Sequence, residues 1–84
     1  MDKQQGIVSL HNLKTDKAYI FYSNDIKQDC IDMRFNLDLG MHPCKSLQED
    51  YANTGLEVFR FDTLEITSDS SKLEYYKSQF KLYD

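Results

Sequence analysis

A chain of 84 residues, 40% hydrophobic and 29% charged, can build one modest core and is too apolar to stay disordered. Its formal net charge of −4 works against non-specific attraction to nucleic acid or to an anionic membrane. Two cysteines, Cys30 and Cys44, are too few for a disulfide framework, and no apolar run reaches the ~18–20 residues that span a bilayer.

The start, MDKQQGIVSLHNL, lacks the apolar stretch of a secretory signal. A reducing cytoplasm with free thiols is therefore the expected compartment. Six Tyr and five Phe supply much of the core, and one Pro with three Gly leaves little chain for linkers. One domain, 1–84, is expected.

The run 6–10 is β-prone, 11–17 is polar and reads as a turn, and 18–22 is β-branched and aromatic. Two such runs joined by a turn predict a hairpin. Ser23 or Asn24 can cap the helix that follows, which Gly40 would stop with a left-handed residue. Along it, Ile26, Cys30, Met33 and Leu37 form one stripe, expected to pack on the sheet. Ile31, Phe35 and Leu39 form a second stripe on nearly the opposite side. That stripe packs under the next helix, against Leu47 and Tyr51, or under the chain's own C-terminus, or else it is an interface for a second copy or another protein, anchored by Phe35.

His42-Pro43 forces an extended link. The segment 46–53 reads as a short second helix ended by Gly55, and 56–66 as the third strand. Asp69-Ser70-Ser71 caps a last helix whose face carries Leu73, Tyr76, Phe80 and Tyr83. The order ββααβα predicts an α+β fold: a small antiparallel three-stranded sheet flanked by three helices.

These fragments, in this order, resemble the GIY-YIG nuclease domain over nearly the whole chain. Gly6-Ile7-Val8 stands at the first motif and Tyr19-Ile20-Phe21 at the second. Asn12 and Lys17 stand where the family often has Asn and Lys. The stretch Gly40 to Gln48 is similar to G-x-H-x-x-x-x-L-Q. Leu73-Glu74-Tyr75-Tyr76 resembles the helix that carries the family's metal-binding glutamate.

The resemblance implies a tyrosine that helps deprotonate water, an arginine opposite the phosphate and a glutamate holding a divalent metal. Tyr19, His42 and Glu74 match such positions. Val8 replaces the first tyrosine, Phe21 a glycine, Asp29 the arginine and Met33 a histidine. On that ground Tyr19, His42 and Glu74 are expected to be a vestigial site in a chain that is not an enzyme. No catalytic residue, metal or cofactor is expected.

The function expected is a non-catalytic protein-interaction module. The alternatives are a residual nucleic-acid binder without cleavage and a weak metal-dependent nuclease. The partner expected is a protein or a second copy, with no membrane, and nucleic acid is disfavoured by the charge. A zinc set of His11, Cys30, His42 and Cys44 is also disfavoured, since only His42-x-Cys44 is tightly spaced. The basic residues are scattered with no dense cluster, and read as a solvated surface and not as an electrostatic footprint for DNA.

Overall fold

The computed structural model describes residues 3–83; Met1, Asp2 and Asp84, at the ends of the expected single domain, lie outside the described residues. Strands β1 (Gly6–Asn12) and β2 (Lys17–Ser23) form the antiparallel hairpin that the alternating runs predict. Asn12 closes its turn. The side-chain Oδ1 accepts from the N–H groups of Lys14 and Thr15, at 2.9 and 3.1 Å. Asp16 takes a positive φ of 63° there, a conformation that Asp tolerates better than most residues.

Helix α1 (Ile26–Asp38) starts at a cap one or two residues later than expected. Asp25, not Ser23 or Asn24, accepts from the Gln28 N–H, while Ser23 Oγ accepts from the Asp25 N–H at 3.0 Å. Gly40 is left-handed, as the stop requires. Helix α2 (Lys45–Thr54) ends at Gly55, also at positive φ. The third strand, β3 (Phe59–Ile66), begins later than expected because 56–58 form a 3-10 turn. Leu56 and Val58 both pack on the same core there.

The sheet has four strands and is mixed, which corrects the expected three-stranded antiparallel sheet. Helix α3 spans only Lys72–Lys77, and Lys81–Leu82 returns as β4, parallel to β2. The strand order is β3-β1-β2-β4. The expected single face of Leu73, Tyr76, Phe80 and Tyr83 is divided between the two sides of the sheet, which no one helix can serve. Leu73, Tyr76 and Phe80 pack with Ile7, Ala18 and Ile20. Tyr83 is buried on the other side with Leu10, Leu37, Leu47, Tyr51 and Phe59.

The Tyr83 hydroxyl accepts from Asn12 Nδ2 and donates to Asp50 Oδ2, both at 2.9 Å. Burial without those partners would cost about 1–3 kcal/mol for each group left unpaired.

The core stripe of α1 holds in part, since Cys30 is only half-buried and joins neither core cluster. Ile26 and Leu37 are buried, and Met33 packs beside Leu37. The second stripe does not go under α2, whose Leu47 and Tyr51 pack with Leu37 instead. Ile31, Phe35 and Leu39 are 53%, 62% and 55% exposed. Among the described residues no helix is long and apolar enough to cross a membrane.

Candidate functional site

Strand alternation sets the site. Even residues of β2 (Ala18, Ile20, Tyr22) join the core under α3, which leaves Tyr19 on the side of α1 and α2. The extended link after α1 carries His42 back over the sheet. There its ring meets the edge of Tyr19, with centroids 5.0 Å apart and planes at 86°. Phe21, next on the same face, tilts against Tyr19 at 6.1 Å.

The link is held by short-range bonds. The His42 N–H donates to Gln48 Oε1 at 3.1 Å, and Gln48 Nε2 donates to the Leu37 carbonyl at 2.9 Å. The Cys44 N–H donates to His42 Nδ1 at 3.0 Å. Gln48 and Leu47 thus serve one turn of α2 in two ways, one orienting His42 and the other filling the core.

The protonation states follow from the surroundings. Burial lowers the pKa of His42, more than a backbone contact with Cys44 raises it, so the ring is neutral at pH 7. With Nδ1 accepting, Nε2 carries the proton and is a donor. Burial first, and Cys44 second, raise the pKa of Tyr19, so its hydroxyl also stays protonated. The pair offers two neutral donors side by side, suited to the oxygens of a phosphate.

The pKa of His42 makes a prediction. A histidine whose folded pKa lies below its unfolded value of 6.5 favours folding above that value. Below it the unfolded chain binds the proton first, and stability falls until the folded pKa is passed. Urea midpoints measured from pH 8 to pH 5 should therefore fall more steeply for the wild type than for His42→Asn. Equal slopes would contradict the assignment, since His11 is common to both.

The remaining expected site residues divide. Glu74 is exposed on α3, whose Leu73 and Tyr76 pack against the opposite face of the sheet, and no described bond joins its side chain to Tyr19 or His42. Among the described residues no group of three His, Cys, Asp or Glu side chains is placed to hold a metal. A single exposed carboxylate does not make a cation site from protein groups alone. His11 pairs with Asp16 at 2.8 Å, away from the other candidate zinc ligands.

The four residues that replace expected catalytic groups have local roles. Val8 is fully buried in the central strand. Met33 packs on the core of α1 and α2. Phe21 lies on Tyr19. Asp29 sits in the first turn of α1, where a negative charge is favourable, and accepts from the Ser23 hydroxyl.

Reasoning along the sequence missed a pairing of cations that only the fourth strand creates. The register of β4 places Lys81 beside Lys17. Lys77 lines a cavity of about 110 Å³ with Ala18, Tyr19, Ile20, Leu82 and Tyr83. The one signal available was the Lys77, Lys81 spacing near the end of the chain.

No family model matches the chain, and no curated protein matches it in sequence. Solved structures do. A mutant of the catalytic domain of intron endonuclease I-TevI superposes with a TM-score of 0.84 at 19% identity, over 96% of this chain and 92% of that one. The catalytic domain of homing endonuclease I-TevI gives 0.75 at 22% identity, over 89% and 82%.

The chain therefore has a GIY-YIG-like fold. The same likeness overturns the expectation that it is not an enzyme. That fold is shared, over almost the whole chain, with a catalytic nuclease domain.

Proposed function

We propose that the chain is a nuclease domain of GIY-YIG type, which hydrolyses phosphodiester bonds of nucleic acid at a site built on Tyr19 and His42. The observation that carries this reading is the contact of these two rings on a fold shared with a catalytic nuclease domain. The Tyr19 hydroxyl and the His42 Nε2–H would donate to non-bridging phosphate oxygens as charge builds there. Val8 supplies no proton acceptor, so slow turnover is expected. Incubation of purified protein with supercoiled plasmid and Mg²⁺ or Mn²⁺ tests it. Nicking above a heat-denatured control is expected, and intact plasmid after prolonged incubation would contradict the reading.

A second reading rests on α1. Exposed Ile31, Phe35 and Leu39, continued by Met41 at 67% exposure, form an apolar face suited to a protein partner or a second copy. Phe35→Glu should change stability by less than about 0.5 kcal/mol, because the side chain is at the surface. Sedimentation should then show self-association, or capture of a partner, lost in this variant. A melting temperature lowered by 10 °C or more, roughly 2 kcal/mol for a domain of this size, would place Phe35 in the core instead.

A further inference from the structure

The cations beside Tyr19 are unusual for a chain with 14 acidic and 10 basic residues. Lys17 and Lys81 are neighbours across β2 and β4, so their side chains leave the same face of the sheet. Like charges placed side by side on adjacent strands destabilise them. The Lys17 ammonium lies 5.7 Å from the Tyr83 ring centre, and Lys77 borders the cavity that Tyr19 and Tyr83 also line.

Among the described residues the salt bridges are His11–Asp16, Arg60–Asp62 and Lys72–Glu65, and none uses these three lysines. The carboxylate next to Lys17, that of Asp16, is turned to His11. β4 pairs only with 17–18, so β2 beyond Ala18 is an open edge next to the cavity.

We infer that Lys17, Lys77 and Lys81 form a phosphate-holding rim that seats the backbone of a nucleic-acid strand along the β2–β4 edge, next to Tyr19. The inference rests on the nuclease reading and adds where the substrate lies. Lysine ammonium groups bind phosphates as point charges, and neutralised phosphates release counterions, so binding by this rim weakens steeply with salt. The overall charge of −4 opposes non-specific attraction to nucleic acid, so docking needs a local group of cations such as this one.

The test compares two triple variants with equal charge change. One is Lys17→Gln, Lys77→Gln, Lys81→Gln; the other is Lys3→Gln, Lys27→Gln, Lys45→Gln, all on exposed side chains away from the cavity. Affinity for a labelled single strand and a labelled duplex is read by anisotropy over a range of salt. The rim variant should lose tenfold or more in affinity, and its salt slope should fall by about 2 on either probe. The control variant should change by less than about threefold. Should the rim variant prove unfolded by circular dichroism, Lys81→Gln alone, at an exposed position, should still lower both affinity and slope.

Equal losses in both triple variants, or no binding by the wild type at low salt, would overturn the rim. Binding that depends on the rim without any plasmid nicking supports the rim and removes the hydrolysis reading. Nicking that survives unchanged in the rim variant does the reverse.

Discussion

Gly6→Ala is expected to unfold the domain or leave it barely stable. A Cβ at position 6 would stand 2.1 Å from the Glu65 carbonyl oxygen and 3.1 Å from the Glu65 carbon and Ile66 Cα. All three are backbone atoms, so no side chain can rotate out of the way. β1 is paired on both sides, with Gly6 opposite Ser23 in β2 and Ile66 in β3. Next to it the ladder shifts register, since Ile7 pairs with Glu65 and Val8 with Thr63, so Leu64 is left over as a bulge. The bulge draws β3 onto Gly6, and separating the strands would break that end of the sheet.

Overpacking usually costs ~1–3 kcal/mol, and contact with immobile backbone puts this case at or above the upper end. At about 4–8 °C per kcal/mol, the melting temperature should drop by roughly 15 °C or more. A melting temperature within a few degrees of the wild type would show that β3 does not approach β1 so closely.

Gly6 illustrates what was legible in the sequence and what was not. The run 6–10 reads as a strand from its β-branched residues, but the reason for the glycine is a contact with residues almost sixty positions away. The same holds for Asn12. Its place in a turn is readable, whereas its bond to Tyr83 depends on how the end of the chain packs.

Helices α1 and α2 were legible because their stripes repeat at helical spacing and glycines stop them. β4 was not. Phe80 and Tyr83 keep a helical interval from Leu73 and Tyr76, so the period alone continues the helix. Only the two-sided demand of the sheet ends it. A two-residue strand carries no period of its own, and with it went the grouping of Lys17 with Lys81.

At the site, Tyr19 and His42 stood out in the sequence, and the fold does bring them together. Glu74 stood out equally and is not joined to them. Asp29 has a second side that the sequence did not show. Its charge reads as hostile to phosphate, while its bond to Ser23 and its place at the start of α1 give it a structural use.

The central claim is that Tyr19 and His42 are the working donors of a nuclease site. It is tested most directly by plasmid nicking with the wild type and with Tyr19→Phe/His42→Gln under the same divalent-metal conditions. Loss of one oriented donor typically lowers a rate by about 10²–10³, so the double variant should fall to the level of the denatured control. Both replacements are close in volume. Retention of the native circular dichroism would show that lost nicking reflects lost donors and not lost fold. Wild-type nicking that persists undiminished in the folded double variant would contradict the claim.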